Sequence, residues 1–177
     1  MAPATHCRAL LTLYQQLSAG DDRHAGSVDG GQAVTRGAAQ PRSHGHPGYD
    51  LVHERAPQSG EEARRLVRVA LAAWGRRRVD LDAAEVVVAE LVASAVRHTA
   101  GPALRVIIDR PDAGRVYVAV VARVPRRLPA LRTPAPDETD GRGLLLVNAY
   151  ALCCGYDILG GTRPWGKRVW VLLETRL

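Results

Sequence analysis

Residues 90–101 read ELVASAVRHTAG, and four of these side chains are of kinds that could act together: an acid (Glu90), a hydroxyl (Ser94) and two bases (Arg97, His98). Spacings of four, seven and eight residues return to one side of a helix at about 100° per residue. Ala84, Val88, Leu91, Val92, Ala95 and Val96 fall on the opposite side and form an apolar stripe. Further along, the chain reads GRGLLL, with Gly141 and Gly143 at the start of an expected helix. Glycines there let backbone N–H groups approach an anion closely, and the helix dipole favours negative charge at the same end. Each feature has an ordinary explanation as well. The polar row suits a solvated helix face, and a glycine at a helix start is often a matter of geometry.

The elements that would hold these residues can be read from periodicity and turn chemistry. Residues 6–18 suit a short amphipathic helix with Leu10, Leu13, Tyr14 and Leu17 on one side. Residues 20–48 are polar and glycine-rich, with almost no large apolar residue, and such a composition buries too little surface to offset its ordering entropy. The expected organisation is therefore an N-terminal helix and flexible linker over 1–48 and one domain over 49–177. Within the domain, YDLVHER reads as a strand. Ser59 with Glu62 has the spacing of a capping box opening a helix that stops near Gly75. Asp82 with Glu85 repeats that logic and opens the helix carrying Glu90. ALRVIID and RVYVAVVAR form a hairpin around RPDAG. Four prolines in residues 124–140 forbid regular structure over most of that stretch, which reads as a functional or mobile loop. A helix over GRGLLLVNAYALCC and two strands around a glycine-rich turn complete the chain. This order predicts an α+β two-layer sandwich with a mixed, mostly antiparallel sheet and helices on one face.

Composition narrows the function classes. The chain has 177 residues, 46% of them hydrophobic, enough for one domain with a core. No apolar run reaches the roughly 18 residues of a membrane span, and the N-terminus lacks a signal-peptide pattern, so a cytoplasmic protein is expected. The net charge of +6 invites a nucleic-acid reading, and residues 97–136 hold eight arginines against Asp109 and Asp112. Yet no aromatic platform interleaves with them, Phe is absent from the chain, and Lys167 is its one lysine. A protein partner suits the arginines equally well. Cys7, Cys153 and Cys154 show no CxxC spacing and are expected to be reduced, structural thiols. His44 and His46 sit among Gly and Pro and read as loop.

Taken together, ELVASAVRH followed by GRGLLLV resembles the N-box and glycine box of the GHKL (histidine kinase-like) ATPase superfamily. The resemblance is closest to the stand-alone anti-sigma-factor serine kinases and their small ATP-binding relatives, and it covers about residues 49–177. It implies a Bergerat-type ATP-binding fold, ATP or ADP with Mg²⁺ as cofactor, a sigma factor or anti-sigma antagonist as partner, and a homodimer. By the same resemblance Glu90 matches the acid that polarises the attacking hydroxyl. Ser94 stands where an Asn usually ligates Mg²⁺. Arg97 falls where a basic residue meets the phosphates, and His98 completes the box. Ala122 stands where an Asp receives the adenine amino group, and residues 125–140 match the ATP lid. Gly141, Arg142, Gly143 and Leu144 match the phosphate-side hinge, and Arg168 lies where a Thr supports the Asp.

Ser94, Ala122 and Arg168 depart from the family pattern. Ser is shorter than Asn and a poorer magnesium ligand. Loss of the Asp removes a charged acceptor bond of about 1.5–3 kcal/mol. Arg would bring bulk and charge into a slot that should be apolar. Two such losses would weaken a micromolar site by about 3–5 kcal/mol, into the millimolar range. The expectation is a regulatory protein of the anti-sigma-kinase type with a degenerate ATP site, acting mainly through protein–protein binding. An active ATP-dependent serine/threonine kinase with Glu90 as base, and a nucleic-acid-binding module, are the alternatives.

Overall fold

The structure, a computed structural model, describes residues 40–41, 47–123, 147 and 149–175. Their element order is β1 (Gln40–Pro41), β2 (Gly48–Glu54), α1 (Ser59–Ala73), α2 (Arg78–His98), β3 (Ala100–Asp112), β4 (Arg115–Arg123), β5 (Ala151–Leu159) and β6 (Gly166–Glu174). The strands form a single sheet in the order β1-β2-β3-β4-β6-β5. Every described neighbour pair is antiparallel, so the expected parallel admixture is not found among these strands. The α+β class, the antiparallel sheet and the helices on one face agree with expectation.

Alternation divides the sheet into two faces. Leu104, Val106 and Ile108 of β3, Val116, Val118 and Val120 of β4, and Val171 and Leu173 of β6 pack with the buried sides of α1 and α2 into the main core. Ile107, Tyr117, Ala119, Val121, Trp170 and Leu172 form a second apolar cluster on the other face. The Tyr117 and Trp170 rings stack there with centroids 6.3 Å apart. Among the described residues, no helix is long and apolar enough to cross a membrane.

Local details correct several sequence expectations. Ser59 does not cap α1. Its hydroxyl accepts from the Ala56 N–H at 3.0 Å and donates to the Glu54 carbonyl at 2.7 Å, binding the strand exit to the helix start. Glu62 instead places its carboxylate 3.1 Å from Nδ1 of the buried His53. The end of α1 follows the sequence reading. The Gly75 N–H donates to Ala72 and the Arg76 N–H to Leu71, a Schellman closure that needs the positive φ of 69° at Gly75.

Helix α2 begins at Arg78, ahead of the expected cap at Asp82. Asp80 lies in its first turn, where the helix dipole favours an acid, and pairs with Arg77 at 3.6 Å. The chain is already in the sheet at Gln40–Pro41, inside the stretch read as linker, pairing with Asp50 and Tyr49. ALCC is strand, not helix: β5 starts at Ala151, one residue after helical Tyr150, because pairing with β6 overrides local preference. Cys153 is disulfide-bonded and Cys154 keeps its thiol, so the expectation of three reduced cysteines does not hold.

Candidate functional site

Helix α2 buries Ala84, Val87, Val88, Leu91, Val92 and Ala95 against α1 and the sheet. At 100° per residue the buried Val87 lies about 60° from Glu90. The polar row therefore borders the apolar stripe and does not oppose it. Glu90 and Ser94 are accordingly half-buried, while Arg97 and His98 are exposed.

The last turn of α2 also has structural work for its bases. Arg97 and His98 sit at the negative end of the helix dipole. Nearby, Arg55 donates from Nη1 to the Val96 carbonyl and from Nε to the Gly101 carbonyl, each at 2.8 Å. Thr99 donates from its hydroxyl to Ala95 at 2.6 Å. These bonds fix where α2 ends and β3 begins, and with that the direction of the polar row. Geometry brings Glu90, Ser94 and His98 together by successive helical turns, with Arg97 beside them.

Ala122 stands at the end of β4, on the helix face, and is 4% exposed. Its cross-strand neighbours are Leu104 on β3 and Lys167 on β6. Arg168 is not part of this group. It pairs in register with Val121, which belongs to the second cluster, so its side chain leaves by the opposite face. There its Nε lies 3.0 Å from Oδ2 of Asp157 on β5.

Lys167 is the β6 residue that shares the face of Ala122, and sequence reasoning passed over it. One residue of offset exchanges the faces of a strand, and GKR alone gives no sign of which basic residue points toward the helices. Lys167 holds its ammonium 4.4 Å from the Tyr156 ring, and burial lowers its pKa from the usual value.

Gly141, Arg142, Gly143, Leu144 and the 125–140 stretch lie outside the described residues. Val147 is described; it is buried in the main core cluster with the α2 residues.

Two described residues, Ala122 and Ser94, differ from those that the family resemblance implies for a magnesium–nucleotide site. The Ala122 methyl offers no acceptor to an adenine amino group, and its cross-strand neighbours are Leu104 and Lys167. Ser94 supplies one short hydroxyl where a longer carbonyl ligand would reach the metal better. Glu90, Arg97 and His98 are of the residue types that the family resemblance implies at their positions. Comparison with protein-family models and with curated proteins returned no match for this chain.

Proposed function

We propose that the chain is a regulatory protein of the GHKL type, similar to the anti-sigma-factor kinases, whose ATP site is degenerate and which acts by binding a protein partner. An antiparallel sheet with two helices on one face suits the Bergerat-type fold this reading requires. The observation that carries the proposal is Ala122, a buried methyl at the strand end where an adenine-binding fold needs an acceptor.

With Arg168 on the other face, the expected losses reduce to the base contact and the metal contact. A missing bond to a charged acceptor, about 1.5–3 kcal/mol, weakens a micromolar site roughly 10- to 150-fold. Poorer magnesium coordination by Ser94 adds to this. Calorimetric titration with ATP and Mg²⁺ is expected to give a Kd of about 0.1 mM or weaker. A low-micromolar Kd would overturn the proposal.

Half-buried Glu90, set at the edge of the apolar stripe, favours a second reading as an active serine/threonine kinase. That reading requires phosphate transfer from labelled ATP to a sigma factor or anti-sigma antagonist, abolished by Glu90→Ala. Under the first reading no transfer occurs with the wild-type chain.

A further inference from the structure

We propose that the outer edge of β5 is a pairing surface for a second copy of this chain, joined strand to strand about a two-fold axis at Cys154. The inference rests on the strand alone and holds whether or not a nucleotide binds. An edge strand turns one row of main-chain N–H and C=O groups away from its neighbour, a template for another strand. The sheet of described strands has β1 and β5 at its edges. β1 is two residues long and includes Pro41, which has no N–H to donate. β5 runs for nine residues, ALCCGYDIL, with no proline, lysine or arginine. Its one charged side chain, Asp157, is turned to the second face, where it meets Arg168. Of the devices that commonly blunt an edge, β5 has the register shift between Ala151 and Cys153 and no guarding charge.

The exposed side chains of this strand are apolar and evenly spaced. Leu152, Cys154 and Tyr156 are exposed, whereas Ala151, Cys153, Gly155 and Asp157 are half-buried. Leu152 is 37% and Tyr156 46% open to solvent. Cys154 pairs with Val171 and Tyr156 with Val169, both of the main core, so the row lies on the helix side of the sheet. The Lys167 ammonium covers one side of the Tyr156 ring at 4.4 Å and leaves the remainder exposed.

The row is its own complement, and this selects a second copy as the occupant. In antiparallel pairing about a two-fold axis at Cys154, Leu152 lies opposite the partner's Tyr156, and Tyr156 opposite the partner's Leu152. Aromatic and aliphatic side chains set across a strand pair in this way stabilise it. Cys154 then faces the partner's Cys154. Directly opposed residues have Cα atoms about 4.5–5.5 Å apart, within the span of a disulfide.

The strength of the contact follows from its size. Residues 151–157 pair with their counterparts over a strip of roughly 23 Å by 10 Å on each copy. That is well below the ~800 Å² per partner of a standard interface. The dimer is therefore reversible and depends on concentration.

Sedimentation equilibrium of the full chain, from micromolar to submillimolar concentration and without nucleotide, tests the inference. A monomer–dimer equilibrium is expected, weakened by about tenfold or more in Leu152→Lys and in Tyr156→Lys, which place the guarding charge the edge lacks. Val69→Lys and Val79→Lys, at exposed valines of α1 and α2, should leave it unchanged, with circular dichroism showing that all four variants keep the fold. A chain that stays monomeric, or a dimer that the edge variants affect no more than the helix variants, would overturn the proposal. Partial burial raises the Cys154 pKa, so its coupling is driven by copper–phenanthroline oxidation. Mass spectrometry should then find Cys154 joined to the partner's Cys154, a link absent from Cys154→Ser. A dimer that never forms this link would overturn the pairing about Cys154.

Discussion

Replacing Ala122 with Asp would restore the acceptor that the proposed site lacks, and the structure sets what this should do with and without ligand. Ala122 lies on the helix face between Leu104 and Lys167, 4% exposed. A carboxylate there loses most of its water, at a cost of several kcal/mol. Lys167 is the residue directly across on β6, but its ammonium lies over the Tyr156 ring on the β5 side and offsets only part of that cost. The free variant should therefore be less stable than wild type by about 1–3 kcal/mol, read from the urea midpoint. With ATP present, the adenine amino group can donate to the new carboxylate. That bond is worth about 1.5–3 kcal/mol, a gain of roughly 10- to 150-fold in affinity by calorimetry. Ala122→Asn, an uncharged acceptor of the same size, should gain less. A folded Ala122→Asp chain that binds ATP no better than wild type would refute the assignment of this strand end to the base.

Three further outcomes follow from side chains whose surroundings are known. Arg168→Thr should leave ATP affinity unchanged within about twofold, because Arg168 leaves by the far face, while stripping Asp157 of its partner costs about 1–3 kcal/mol in urea unfolding; a clear rise in affinity would place Arg168 in the site after all. Gly155→Ala would bring a Cβ to 2.6 Å from Cζ2 of Trp170, and this overpacking should lower stability by about 1–3 kcal/mol, measured by the shift in thermal midpoint. Burial holds the His53 pKa below its ordinary 6.5, with Glu62 opposing the shift. At pH below 6.5 the unfolded chain takes up the proton more readily. The stability contributed by neutral His53 is thus complete above 6.5 and is lost as pH falls toward the folded pKa. Unfolding midpoints at pH 7.5 and 5 should fall less in His53→Gln than in wild type.

The parts legible in the sequence were those governed by periodicity. The β3–β4 hairpin was readable because alternating apolar residues flank a Pro/Gly turn, and the close of α1 because Gly75 follows a helical stripe. Tertiary partners decided what was misread. The Ser59 hydroxyl went to the Glu54 carbonyl, a choice no capping formula contains. Asp82 has the spacing of a cap, but Asp80 and Arg77 support a helix that starts earlier. Of the candidate site, Glu90 and Ser94 were legible as helical neighbours, whereas the face taken by Arg168 depended on strand register. Cys153 gave no warning of its bond, because the spacing of the cysteines carries no pairing signal.

Register is the physical hinge of the proposed site. Ala122 and Val121 are chain neighbours, as are Lys167 and Arg168, yet each pair sends one side chain to the helix layer and one to the opposite face. A slip of one residue in β6 would bring Arg168 beside Ala122 and turn Trp170 toward the helices. Two contacts oppose that slip. The Trp170 ring fills the space above Gly155, which a Cβ at that position would contest. Gly166 fits against the Ala122 carbonyl, where a Cβ would stand 3.2 Å from the oxygen. Bulk opposite glycine on one strand pair and glycine opposite backbone on the other make the observed alignment the one that packs. The same alignment keeps the charge of Arg168 away from the strand end proposed to face adenine and leaves Lys167 as the cation there. On the proposed reading, weak nucleotide binding would therefore be traced to Ala122 and Lys167, with Arg168 on the far face.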